Sequence, residues 1–524
     1  MRITNKIMQN NSLSNINTNK VSQDKLNTMM STQKKITRPS DDPVIAIRAL
    51  RLRSSVSQIT QYYEKNVPDA KSWLEVTEDA LKNVTEVLTD MIKQVTKGSS
   101  EQLKTEDREV IIEQMKALRD ELYATGDADY AGRYIFTGYR TDTTLSFTEA
   151  ETKKYTITEQ LDASAIDEIT HINTKIDHSK YNLTEINDSN YNTTEYKDAT
   201  EQNSVNSTNV HRIRLAYNNC TGEAPVIKYT DSTGAEKEYS LDANNMEVKY
   251  SYDATDPYES VPNNKVVFIA DTGELLLGES VYNELVNTKD DIATSDKDES
   301  EIRITYSKSD WKKNELRPEH YFYCVDEDGI EYNPNYLREG YSRQSMEYDV
   351  GFNQTIQINT TADECYTHDI GREVDDLVAT MQQIVDMEKA IGRIETTMKN
   401  LSESDADYDS KKATLQAQLD AANKAYTLIK EKVETEFSAG ITFMQESLNQ
   451  TNLALTNCGT RGAKLDLIES RLMSQQTTFE TLQSNNEDAD ITEVAIKLNS
   501  AELTYQASLM ATGKIMQTSL LNFI

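Results

Sequence analysis

Apolar residues recur three and four apart along both outer portions of the chain, and that spacing lapses over the middle. Val67, Ala70, Leu74, Thr77, Leu81, Val84, Leu88, Met91 and Val95 alternate this way, the signature of a heptad seam on a long helix. The pattern predicts one helix from Pro43 to Gly98, with Asp42 as N-cap and Pro43 at the first helical position. A second helix carries Ile111, Met115, Leu118 and Leu122 and stops at Gly126. The spacing returns in Val374, Leu377, Met381, Ile384, Ile391 and Ile394, then in Leu415, Leu419, Ala422, Tyr426, Ile429 and Val433. These two runs predict a helical hairpin over 371–460. Gly459 and Gly462 end it, and another helix follows with Leu465, Ile468, Leu472, Phe479 and Leu482.

The outermost segments are weaker. Residues 1–37 carry Ile3, Ile7, Leu13, Ile16, Leu26 and Met30 among many asparagines, which are poor helix formers. Residues 491–524 carry Ile491, Val494, Leu498, Tyr505, Leu509, Ile515, Leu520 and Leu521. Pro39 stops the first segment, and Asp490 with Glu493 three residues on has capping-box spacing for the last helix. The helical pattern breaks at Arg38–Pro43 and again at Glu487–Asp490, with a terminal segment outside each break. Narrow apolar stripes need partners, so the expectation is that the two segments pair as inner-layer helices, loose in the monomer. The surface left over after pairing would meet other copies of the chain.

Between the helical portions, residues 141–370 read as a β-rich surface insert holding 19 of the 28 tyrosines. Asp231–Gly234, Asp271–Gly273 and Asp328–Gly329 have the composition of hairpin turns. The expected fold is mainly α with a β-rich insert. Residues 43–140 and 463–485 form a discontinuous coiled-coil bundle under terminal helices 1–37 and 491–524. One or two irregular β-rich outer domains and the hairpin complete the chain.

Charge narrows the function classes. A net charge of −32 over 524 residues repels nucleic-acid phosphates and anionic lipids. Residues 1–40 run the other way, with seven Lys or Arg against Asp24 alone. A basic amphipathic start suits a membrane surface, but an Asn-rich helix binds one poorly, and a basic polar face complemented on assembly is the simpler reading. No apolar run is long enough to span a bilayer, and Met1 is not followed by the apolar core of a cleaved signal.

Chemistry is scarce. Cys220, Cys324, Cys365 and Cys458 are scattered, and His171, His178, His211, His320 and His368 share no metal-ligand spacing. The run from Asp326 to Gly329 faintly resembles a calcium loop, but Cys324 stands at the first ligand position and no Glu follows at the required distance. Sequons at Asn192 and Asn359 are chance matches in an Asn- and Thr-rich chain. No catalytic, cofactor or metal constellation stands out, so a structural protein is expected rather than an enzyme. A coiled-coil surface adhesin fits the heptads and acidity but not the paired breaks; a hydrolase hidden in the insert would need a pocket of convergent ionisable groups.

Several stretches resemble one family. Thr37–Pro43 through Ala49–Arg53, Trp73–Glu75 and Gly132–Tyr139 at one end, and Arg471–Leu472, Asp488–Asp490, Tyr505–Leu509 and Ser519–Ile524 at the other, are similar to flagellin-type axial proteins of the bacterial flagellum. The resemblance covers residues 1–140 and 463–524. Filament subunits usually have an Ala-rich motif where this chain has Arg38–Pro43, which favours the hook–filament junction branch, with a minor filament role as alternative. It implies an extracellular structural role, export through the flagellar type III apparatus without a cleaved signal, and a cytoplasmic chaperone masking the C-terminal helix. The implied partners are copies of itself, the hook-side hook-associated protein and flagellin.

Overall fold

The computed structural model describes residues 5–100, 102–173, 205–230, 235–240, 245–253, 256–259, 261–286, 302–336, 344–404 and 408–517. The turn expected at 231–234 lies outside them, as do Ile3, Leu520, Leu521 and the side chain of Ile515. The chain divides into two compact units, one of 1–71, 348–356 and 463–524, the other of 72–347 and 357–462. The helices are α1 (Asn5–Thr32), α2 (Pro43–Gln61), α3 (Val67–Gly98), α4 (Thr105–Thr125), α5 (Glu279–Val286), α6 (His368–Asn400), α7 (Tyr408–Glu487) and α8 (Ile491–Gln517).

Asp42 caps α2 as expected, accepting from the N–H groups of Val44 (2.9 Å) and Ile45 (3.1 Å). The single helix anticipated from Pro43 to Gly98 is instead interrupted by a π turn at Tyr62–Asn66. Pro68 explains it. Proline has no N–H to give the Glu64 carbonyl, and the ladder slips so that Val67 N–H bonds Tyr62 O. All nine seam residues from Val67 to Val95 are buried.

In the larger unit, α3, α4, α6 and α7 pack antiparallel. Thr105 donates to Glu388 (2.7 Å) and Lys389 pairs with Glu109 (2.6 Å), joining α4 to α6. Tyr426 donates to Glu388 (3.3 Å), joining α7 to α6, and Cys458 Sγ lies 3.4 Å from Leu74 O, joining α7 to α3. The hairpin of α6 and α7 therefore completes a bundle with 72–125 and is no separate domain. Nor does α7 end at Gly459. It runs unbroken to Glu487, because Ala454, Cys458, Leu465, Ile468 and Leu472 keep the buried three–four phase across both glycines. A Cβ at Gly459 or Gly462 would meet no atom within 4 Å, so neither glycine serves a turn or a close contact there. Each costs roughly 1 kcal/mol against alanine, which continuous packing offsets.

A short antiparallel pair, β1 (Asp129–Tyr130) and β2 (Arg133–Tyr134), precedes the insert, which is two sheets around one core. Strands β3 (Glu151–Leu161), β6 (Val226–Thr230), β7 (Glu236–Tyr239), β11 (Ile302–Trp311), β12 (Tyr323–Asp326) and β13 (Glu331–Tyr332) form one, in the order β13-β12-β3-β11-β6-β7. Strands β4 (Ile166–Asn173), β5 (Asn206–Arg214), β8 (Met246–Lys249), β9 (Val266–Ile269) and β10 (Glu274–Leu277) form the other, in the order β4-β5-β10-β9-β8, with only the β8–β9 pair parallel. Ile157, Tyr229 and Ile304 from the first meet Ile213, Phe268 and Leu275 from the second. The β9–β10 hairpin turns at Gly273, whose φ of +67° and closeness to Tyr217 O leave no room for a Cβ. A buried charge network ties the five-stranded sheet to α6. Arg212 bonds Asp167 (2.8 Å), Asp376 (2.6 Å) and Glu274, and Arg214 bonds Asp376 (2.8 Å) and Glu373 (3.3 Å). Burial would raise the Asp376 pKa, yet the two guanidiniums hold it below its usual value.

Three buried groups give this unit a pH response. Burial pushes the His320 pKa down to about 4, His368 to about 3, and that of Glu159 up to about 7. As pH falls below about 6.5, the unfolded chain protonates both histidines while the folded unit does not until about 4 and 3, so stability falls across that window. Glu159 acts oppositely: folded, it keeps its proton to about pH 7, so its contribution is present at low pH and lost as pH rises from about 4.5. Calorimetry is expected to show a lower melting temperature at pH 4.5 than at pH 7.5. Glu159→Gln should steepen that fall; a flatter profile in the variant would reverse the assignment.

Candidate assembly interface

The smaller unit is built on the two breaks. After α1 the chain turns at Gln33, a non-glycine residue with φ of +57°. Lys35 N–H then donates to Glu487 O (2.7 Å), and Ala489 N–H donates to Gln33 O (2.9 Å), closing an antiparallel bridge between Lys34 and Asp488. The chain just past α1, at Gln33–Lys35 and ahead of the Arg38–Pro43 break expected from sequence, is thus hydrogen-bonded to the break before α8.

Side chains lock this corner. Asp41 accepts from the N–H groups of Arg38 (2.9 Å) and Thr37 (3.1 Å), which hold its pKa below the usual value and fold the Arg38–Pro43 loop onto itself. Glu487 is 2% exposed and receives a two-pronged bond from Arg53 of α2, at 2.7 Å from Nε and 2.5 Å from Nη2. Lys34 Nζ reaches both Asp488 (2.5 Å) and Glu487 (3.8 Å). Asn486 donates to Ile45 O (3.2 Å), so α7 and α2 meet at the same corner. Asp490 caps α8 through Thr492 N–H (2.9 Å) and Glu493 N–H (3.1 Å). Glu493 does not return the capping-box bond; its carboxylate pairs instead with Lys497 at 2.6 Å, one turn along. Pro39 and Pro43 flank the corner on its α2 side.

From this corner α1 and α8 run side by side and antiparallel, with Asn19 Nδ2 donating to Ser508 Oγ (3.0 Å) and Gln23 reaching Glu502 (3.5 Å). On α8 the covered positions are Val494 (4% exposed), Leu498, Ala501, Tyr505, Ser508 and Thr512. On α1 they are Gln9, Ser12, Ile16, Asn19, Gln23 and Leu26. Ile7, Leu13, Met30, Ile491 and Leu509, read from sequence as interface positions, are exposed rather than in this seam. The α1 seam is mostly polar, which fixes register and weakens the pair.

A stripe that the sequence reading passed over lies on the far side of α8. Ile496, Leu503 and Met510 are 65%, 68% and 70% exposed and seven residues apart, about half a turn around from the seam. Ile7, Leu13 and Val21 likewise face away from α8 on α1. The strict seven-residue repeat was the available signal. Of 23 exposed large hydrophobic residues among those described, 17 fall in this unit. Apolar patches concentrated in this way mark protein–protein contact.

A β-hairpin of β14 (Glu347–Gly351) and β15 (Gln354–Gln357) also contributes, although its sequence placed it in the insert. Asn66 Nδ2 donates to Asp349 O (2.8 Å) and Phe352 meets Tyr62 edge-on at 5.9 Å, on the π turn. Among the described residues, no three His, Cys, Asp or Glu are placed to hold a metal ion, and no helix is long and apolar enough to cross a membrane.

Comparison with known proteins adds to this geometry. Residues 3–141 match the bacterial flagellin N-terminal helical region. Over 185 residues the chain is 30% identical to flagellar hook-associated protein 3 of Salmonella typhimurium, covering 34% of this chain and 57% of that protein. It is 32% identical over 183 residues to the Escherichia coli protein of the same name, covering 34% and 56%. The chain thus spans a little over half the length of these curated relatives. FlgL of Xanthomonas campestris overlays on 83% of this chain and 99% of its own at 11% identity and a TM-score of 0.26, too poor an overlay to bear on the fold.

Proposed function

We propose that this chain, which carries the bacterial flagellin N-terminal helical region, is a structural subunit of the flagellar axis at the junction between hook and filament. The observation that carries this reading is the pairing of α1 with α8 from a hydrogen-bonded corner, with an apolar heptad left uncovered outside the pair. Its likeness to two proteins named flagellar hook-associated protein 3 supports the place in the axis.

In this reading α1 and α8, of 28 and 27 residues, form an inner layer about 40 Å long at the helical rise. The stripe Ile496–Leu503–Met510 of one copy packs against another copy, a head-to-tail contact that closes into a ring or winds into a helix. Exposed positions Ile7, Leu13, Ile491 and Leu509 join the same layer. The neighbours along the axis are a hook-side hook-associated protein and flagellin, and a chaperone covers α8 before the chain leaves the cell. Export proceeds without a cleaved signal, and the working location is the flagellum outside the cell. Removing 1–37 and 491–524 together should give a soluble monomer that still unfolds cooperatively, seen by sedimentation and thermal melting. Loss of cooperative unfolding would place the two ends in the core instead.

A further inference from the structure

The insert contains a cavity of about 750 Å³ that the axial role does not use. Strand β3, the β3–β4 turn, the loop before β12 and the start of α6 surround it. Its wall carries Glu159, Asp162, Asp167 and Asp369, with rings of Tyr321 and Phe322 among the apolar lining.

Most of the polar wall is already bonded within the protein. Arg214 is held by Glu373 (3.3 Å) and Asp376 (2.8 Å), Asp167 by Arg212 (2.8 Å), and Asp162 by the N–H of Ser164 (2.7 Å). His368 Nε2 lies 2.7 Å from the Tyr217 hydroxyl. Two carboxyl groups stand apart. Glu159 Oε1 accepts from Ala216 N–H (2.9 Å) and from the Tyr306 hydroxyl, but its Oε2 has no hydrogen bond among the described residues. Asp369, exposed at the rim, has none either. His320 Nε2 sits 2.9 Å from Thr144 O, and its Nδ1 is sealed off from the open space.

Glu159 and Asp369 are thus carboxyl groups on the wall with no salt bridge among the described residues, while the Arg214 cation is already paired. A metal ion is a poor complement, because no three ligating side chains converge among the described residues and the space is far larger than an ion needs. A phosphate or other anion is repelled. We infer that this cavity is a binding site for a small organic cation, a primary amine or guanidinium compound, held between Glu159 and Asp369. Burial raises the Glu159 pKa to about 7, so at neutral pH its carboxyl gives up its proton readily beside a bound cation, and the charged pair gains more than a neutral one.

Agmatine, which carries both a guanidinium and a primary ammonium, is the probe, titrated into the full-length chain by calorimetry at physiological salt. One-site saturable binding is expected, weakened about tenfold or more by Glu159→Gln and by Asp369→Asn, the effect of losing one charge-assisted bond. Glutamine keeps the oxygen that Ala216 and Tyr306 bond, and Asp369 is exposed, so both variants should melt as folded proteins. Maltose, a neutral polyol of fitting size, should not bind. The inference is overturned by maltose binding in place of agmatine, by absence of saturable agmatine binding, or by binding that both variants leave unchanged, which would be diffuse attraction to a chain of net charge −32.

Discussion

Leu503→Asp is expected to abolish self-assembly and leave the subunit folded. Leu503 is 68% exposed in the single chain and faces away from α1, so a carboxylate there costs the monomer little. Buried against a second copy, the same carboxylate would cost several kcal/mol without a partner, and the penalty recurs at every contact in a ring or helix. Sedimentation should show only monomer where the wild-type chain associates, with unchanged circular dichroism and melting. Leu498→Asp is the instructive contrast. Leu498 is half-buried in the seam with α1, so its replacement should separate the terminal helices as well as prevent assembly. If Leu503→Asp assembles normally, the outward stripe is not the contact surface.

The second large effect is expected in the insert. Arg212 is 6% exposed and carries bonds to Asp167, Glu274 and Asp376. Arg212→Ala leaves Glu274, itself 5% exposed, without its cation and removes one of the two that hold Asp376. Breaking a buried pair from one side costs about 3–5 kcal/mol, because the remaining charge stays desolvated. Denaturant unfolding of the larger unit should shift by that amount while the α1–α8 pair is unaffected. A change under about 1 kcal/mol would mean that water reaches the network and the charges are effectively at the surface.

How much of this was legible follows the physics of each element. The α3 seam was readable because large apolar residues mark every three–four step, and the corner at Asp42 because an aspartate before proline is a strong helix start. The seam on α1 was legible only at Ile16 and Leu26, because Gln9, Ser12, Asn19 and Gln23 hold positions where only apolar residues were sought. Glycine misled in α7, where Gly459 and Gly462 are tolerated inside a packed helix. Pro68 could have signalled the π turn, but a proline inside a strong heptad was outweighed by it. The returning hairpin at 348–356 could not be foreseen, since strands of similar composition fill the insert and only tertiary contact assigns this pair to the terminal unit. The Lys34, Arg53 and Glu487 lock has the same origin, with partners more than 400 residues apart in sequence. The cavity was invisible too, because its two carboxyl groups come from β3 and α6 and share no local spacing.

An axial junction built by the paired terminal helices through their outward stripe can be tested on isolated hooks. The most direct measurement adds purified full-length chain to isolated hooks already carrying the hook-side associated protein, then supplies flagellin and follows filament length by electron microscopy. Filaments are expected to grow only after the chain is added, and Leu503→Asp to support none. Equal filament growth without the chain, or with the variant in its place, would contradict the junction role.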